Sequence, residues 1–163
     1  MKTYESYPWW WIVGQNAALV IYFTIGYLVL SPLKISNFPL VSVAYILFLY
    51  VMIIFVLRKH LCTHCYYYGK WCSTGWGKLS SILFKEKSGD YQLGVKLAGI
   101  TWGIAAGLPL LLGILAIALE KRVLLLWILF TMLTPPVIYF HKLSCKTCRM
   151  RDRCPASMVR KSS

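Results

Sequence analysis

Six cysteines and three histidines carry most of the chemistry this chain could do, and all nine fall in two short segments. The first holds His60, Cys62, His64, Cys65 and Cys72; the second holds His141, Cys145, Cys148 and Cys154. Each contains a C-x2-C pair followed by a third cysteine six or seven residues later. Two sulfurs so spaced in a tight turn can be aimed at one ion, and thiolate zinc sites take four cysteines, or three cysteines and one histidine, in tetrahedral array. Cys62, Cys65 and Cys72 with His60 or His64 would complete one such set, and Cys145, Cys148 and Cys154 with His141 another. The spacing leaves open whether these are two sites or two halves of one.

Structural zinc is the favoured occupant. An iron–sulfur cluster competes: a [4Fe–4S] centre takes four cysteines, so each segment would need a histidine, an external ligand or a share of the other. Transient soft-metal or redox-thiol chemistry is the third reading. Permanent disulfides are not expected, because the topology argued below puts all six thiols in a reducing compartment. Catalytic metal chemistry has little support. The acids available near these segments, Glu5, Glu86, Asp90 and Asp152, fall in no H-E-x-x-H or H-x-E motif that would set a carboxylate beside a metal-bound water. Cys65 stands beside His64, but adjacency in sequence is not a nucleophile–base geometry. No phosphate-binding glycine loop or dinucleotide fingerprint is present.

The elements that must position these groups are membrane helices. Hydrophobic residues make up 58% of the 163, against the roughly 45–50% usual in soluble domains. Four apolar runs, at about 9–30, 40–57, 97–119 and 123–140, are each long enough to cross a hydrocarbon core, which takes roughly 17–25 helical residues. None contains a charge, and Trp9, Trp10 and Trp11 suit a membrane–water boundary. The first run is too long for a signal-peptide core and lacks a small-residue cleavage site, so it reads as a retained helix. The predicted fold is therefore all-α: one polytopic membrane domain of four transmembrane helices in two antiparallel hairpins. A loop at 58–96 and a tail at 141–163 form a cysteine-rich cap.

Charge gives the expected orientation. With four spans the N-terminus, the middle loop and the tail share one side, and that side carries all the Lys and Arg except Lys34, Lys121 and Arg122. Such asymmetry places it in the cytoplasm by the positive-inside rule. The net charge of +13 sits between apolar runs rather than along one soluble face, which argues against nucleic acid as a partner. It favours anionic lipid headgroups instead, and residues 78–87 read as a short interfacial helix with Leu79, Ile82 and Leu83 on its apolar face.

Within the spans, Gly99, Gly103 and Gly107 form a doubled small-xxx-small face suited to close packing, inside the bundle or with a second copy in a homodimer. A ligand groove along it is the sharper alternative. Thr134, Pro135 and Pro136 are expected to kink the last helix. No acid, Lys or Arg lies deep in a span, which disfavours a proton-coupled transporter. None of the six cysteines falls inside a predicted helix, where a free thiol would be at home as a small hydrophobe. Tyr66, Tyr67, Tyr68, Trp71 and Trp76 are expected to pack at the bundle mouth, and the tail after Cys154 to be disordered. The resulting expectation is a membrane anchor or accessory subunit whose metal-stapled cap docks a soluble or membrane partner. An iron–sulfur electron carrier serving a quinone, and a soft-metal handling protein, are the alternatives.

Overall fold

The computed structural model describes residues 3–152, 154 and 157–159, so most of the tail expected to be disordered lies outside the described residues. The described chain is helical and contains no strand beyond a single bridge between Ile35 and Phe38. Helix α1 is Trp9–Leu30. Helix α2, Leu40–Tyr50, passes through a π-helical stretch, Val51–Val56, into α3, Leu57–His60. A 3-10 turn, Cys62–His64, follows, then a short α4, Trp76–Leu83. The long helices α5, Tyr91–Leu119, and α6, Val123–Thr147, complete the chain. Four helical stretches, Trp9–Leu30, Leu40–His64, Tyr91–Leu119 and Val123–Thr147, are long and apolar enough to cross a membrane.

Three of these run past the predicted apolar limits. Helix α5 starts at Tyr91, because the Asp90 carboxylate accepts the Leu93 N–H at 3.1 Å and caps it. Helix α6 continues through His141 and Cys145 to Thr147, and α3 carries its stretch on to His60. Cys145 therefore does lie inside a helix, contrary to the expectation for all six cysteines, since hydropathy ends where the apolar residues end and backbone hydrogen bonding does not.

Helix α1 packs against α6, α5 and α2, and α5 against α6 and α3. Gly26 makes the convergence possible: a Cβ there would stand 2.9 Å from the Tyr45 hydroxyl and 3.2–3.3 Å from Phe130 and Pro109. Pro109 lacks the N–H that would bond the Ala105 carbonyl, and the Tyr45 hydroxyl donates to that oxygen instead, at 2.8 Å. In lipid such a substitution matters, because no water can satisfy a stranded carbonyl. Prolines 135 and 136 are both accommodated within α6.

The glycine face behaves otherwise. A Cβ at Gly99, Gly103 or Gly107 would meet nothing within 4 Å, so this face does not pack inside the bundle. The inward stripe of α5 is Gly94, Ala98, Thr101, Ala105, Pro109, Gly113 and Ala116. Tight packing inside the bundle, one of the readings of this face, is thereby overturned.

Candidate functional site: two matching cysteine turns

The cysteine segments are built on the ends of α3 and α6, and their local structures coincide. The Cys65 N–H donates to the Cys62 carbonyl at 3.2 Å, and the Cys148 N–H to the Cys145 carbonyl at 3.3 Å. The second cysteine of each pair then turns extended, with φ −86° and ψ 147° at Cys65 and φ −80° and ψ 134° at Cys148. Past each pair the N–H three residues beyond the second cysteine returns to its carbonyl, Tyr68 to Cys65 at 3.0 Å and Arg151 to Cys148 at 3.3 Å, and the Met150 N–H faces Cys148 Sγ at 3.4 Å. Beyond the first turn, Cys72 Sγ accepts the Gly77 N–H at 3.3 Å and lies 3.4 Å from the Thr74 hydroxyl. Beyond the second, the Cys154 N–H returns to the Met150 carbonyl at 2.7 Å. One local fold has thus been used twice.

The start of the chain ties the two segments together. The Tyr4 N–H donates to the Thr147 carbonyl at 3.1 Å, and the Tyr7 N–H to the Trp71 carbonyl at 2.9 Å. Tyr67, only 1% exposed, donates its hydroxyl to the Tyr4 carbonyl at 2.7 Å and accepts the Arg149 N–H at 3.2 Å. The Tyr7 hydroxyl donates to the Ser144 carbonyl at 2.9 Å. Of the aromatic residues expected at the bundle mouth, Tyr67 is therefore the keystone. Tyr66 instead lines a cleft of about 470 Å³ between the segments, with His64, Cys65, Glu86, Arg149 and Met150.

Burial pushes the Cys65 thiol up to about 12, opposed by the Tyr67 N–H and reinforced by the neighbouring sulfurs of Cys62, Cys72 and Cys148. Burial likewise raises Cys148 to about 11, opposed by the Met150 N–H, with Cys145, Cys154 and Cys72 adding to the effect. Cysteines of both segments thus influence one another. As free thiols Cys65 and Cys148 stay protonated at neutral pH, and a metal ion would have to displace their protons. All six cysteines are unpaired and half-buried.

The histidines divide by role. His60 Nδ1 accepts the Asp90 N–H at 3.0 Å, which commits the lone pair of a neutral imidazole and leaves only an N–H on the other nitrogen. His64 Nε2 lies 2.7 Å from the Gly89 carbonyl, so it carries the proton and leaves Nδ1 free. Metal-ligating histidines are held in this manner, with the distal N–H on a carbonyl. His141 sits in α6 beside Trp102, one helical turn before Cys145. Among the described residues, no three His, Cys, Asp or Glu side chains converge closely enough to enclose an ion.

The loop is held to the helix ends by close approach. A Cβ on Gly77 would run into the Tyr67 and Lys70 carbonyls, and one on Gly89 into the Lys59 carbonyl. Helix α4 buries Gly77 and Ser80 against these turns while Ile82 and Leu83 point outward, as an interfacial helix would. Sequence reasoning passed over Arg58, counting it among the surface charges. It is the largest fully buried side chain, with Nη1 3.6 Å from Cys62 Sγ. Its position four residues before Cys62 on a helix was the available signal, since such pairs share a face.

No family model, characterised protein or solved structure matches this chain.

Proposed function

We propose that this is an integral membrane anchor or accessory subunit with a thiolate metal site that staples a small cap, on which a soluble partner docks. The spans form two antiparallel hairpins, and the N-terminus, the 58–96 loop and the tail lie on the cytoplasmic side, where the Lys and Arg concentrate. The carrying observation is the repeated turn: both C-x2-C pairs share one backbone conformation, and in each segment a cysteine sulfur, Cys72 or Cys148, accepts a backbone N–H. Such N–H groups favour a sulfur that bears negative charge, so they suit ligands more than inert thiols.

Cys62, Cys65, Cys72, Cys145, Cys148 and Cys154 are the proposed donors, with His64 better suited than His60 to complete the first set and His141 available to the second. Closing the ligand set requires these side chains to approach more closely than they stand. Zinc is the favoured ion, because it needs only thiolate and imidazole ligands and would add folding energy to a cap too small to bury much core. Docking of a soluble partner follows from the same smallness, since a cap so stapled offers a rigid surface beside the bilayer.

Elemental analysis of anaerobically purified protein, with an absorbance spectrum of the same sample, tests the reading. Stoichiometric zinc in a colourless sample is expected. Iron with acid-labile sulfide would replace it with the electron-carrier reading, and a metal-free preparation would remove the metal site altogether.

A further inference from the structure

Arg58 poses a problem of charge. Its side chain is wholly buried, and Nε and Nη2 have no hydrogen-bond partner among the described residues. A guanidinium stays protonated in proteins, and a buried charge without a counter-ion is strongly unfavourable. Among the described residues, no carboxylate compensates it. Glu5 pairs with Arg149, Glu120 with Arg122 and Asp152 with Arg151, while Asp90 caps α5 and Glu86 lines the cleft.

The structure nevertheless holds this cation in place. The guanidinium carbon lies 3.4 Å from the centre of the Trp76 ring, a stacking distance. The Trp76 indole N–H donates to the Asn16 side-chain oxygen at 3.3 Å, and the Asn16 amide donates in turn to the Ile12 and Thr74 carbonyls. The Ser80 hydroxyl donates to the Arg58 carbonyl at 3.0 Å, fixing α4 against α3. Upstream, buried positions recur every four residues from Tyr45 through Leu49 and Ile53 to Leu57. The wide π-helical turn keeps that face inward and brings Arg58 in directly behind it. What the guanidinium meets there is sulfur, with Nη1 3.6 Å from Cys62 Sγ.

We propose that Arg58 is the built-in counter-cation of the cysteine site, a positioning residue that compensates the thiolate of Cys62 when a soft divalent cation binds. The inference rests on the metal-site reading and adds to it which half of the site is charge-compensated and by what. A divalent ion held by three or four thiolates leaves the centre net negative, and a guanidinium stacked on Trp76 neutralises it where water is excluded. Each ligating thiol releases its proton to solvent as the ion enters. Without the ion the same charge is left unbalanced, so Arg58 taxes the empty protein and benefits the occupied one.

That opposition of sign is the test. Full-length protein in detergent is stripped with a chelator, and zinc affinity is measured by competition with a chromophoric chelator for wild type, Arg58→Met, Arg58→Gln and Arg58→Lys. Removing an outer-sphere partner of a metal ligand costs about 10–100-fold in affinity. That loss is expected for the Met and Gln variants, with Lys recovering part of it. The metal-free melting temperature of Arg58→Met should stay level or rise, because an unpaired buried charge has gone. Wild-type affinity in a folded Met or Gln variant overturns the proposal. So does a loss of affinity matched by a fall in metal-free melting temperature and not recovered by Lys, which would make Arg58 a packing strut. Should Arg58→Met fail to fold, Arg58→Gln and Arg58→Lys decide by affinity alone. A wild-type protein that takes up no zinc removes the metal-site reading itself, a result distinct from either of these.

Discussion

Replacing Tyr67 with Phe removes one oxygen and tests whether the two cysteine segments are held together as described. That hydroxyl donates to the Tyr4 carbonyl and accepts the Arg149 N–H, in a side chain almost completely buried. Two hydrogen bonds at about 1 kcal/mol net each give a loss of about 2 kcal/mol, with more to be lost if the freed backbone groups stay dry. The ring remains, with its edge contact to Tyr66 and its tilted contact to Tyr7, so the change is confined to the strap between the N-terminus, the loop and the tail. Arg149 follows Cys148 directly, so loosening the strap exposes that thiol. If labelling proceeds through local opening, 2 kcal/mol corresponds to a roughly 30-fold faster reaction of Cys148 with a maleimide in metal-free protein. Mass-spectrometric timing of each cysteine gives the rate, with Cys145, further back in α6, as an internal comparison. A Tyr67→Phe protein whose Cys148 reacts at the wild-type rate would refute the strap and, with it, the joining of the two segments.

Gly77→Ala should lower metal-free stability and loosen the Gly77 N–H from Cys72, because its Cβ meets the Tyr67 and Lys70 carbonyls; Gly14→Ala, where nothing lies within 4 Å, should be near neutral in the same melting assay. Alkylation of Cys65 and Cys148 in metal-free protein should be slow at pH 7 and rise about tenfold per pH unit toward about 12 and 11, respectively, since only the thiolate reacts. The linkage has the matching sign. Both thiols are raised above the ordinary value near 9, so their contribution to stability is complete below pH 9 and is lost as pH rises through 11 and 12, which denaturation of metal-free protein across that range would show. Gly103→Leu should leave the bundle fold intact and abolish any homodimer formed on the open glycine face, measured by energy transfer between labelled copies in a bilayer; transfer unchanged from wild type would move the dimer contact elsewhere. An impermeant maleimide should label cysteines in inside-out vesicles and spare them in right-side-out ones.

The four long apolar helices were legible because their cause is compositional. Lipid offers the backbone no partner, so each long apolar run becomes a helix wherever its hydrogen bonds can close. The limits were less legible. Hydropathy stops at Phe140 and begins again at Leu97, whereas α6 runs on through His141 and Cys145 and α5 starts at Tyr91 behind an Asp90 cap. The glycine pattern showed which residues were small but not which way they faced. Six residues along from Gly107, Gly113 packs tightly on Trp127, while Gly107 itself stands open.

For the candidate site, spacing foretold the kinship of the two segments, and the repeated turn gives that kinship a backbone conformation. Spacing could not tell a histidine with a free lone pair from one without. His60 and His64 stand only four apart, one before the first C-x2-C pair and one within it, and it is the positions of Asp90 and Gly89, brought back by the start of α5, that separate their roles. The same return sets Gly89 against Lys59 and Gly94 against His60, so the loop's far end, and not the cysteine run itself, determines which imidazole is free. Arg58 was hidden for a related reason. In sequence it opens a basic stretch and looks like solvent-side charge; in space the π-helical turn before it and Trp76 after it enclose it against Cys62. A buried arginine with the Cys62 sulfur as its nearest polar side-chain partner ties the charge of the helix end to the state of that cysteine. Under the proposed metal reading, occupation of the thiols by a cation and stability of the cap become one equilibrium, in which the empty form carries the unbalanced charge.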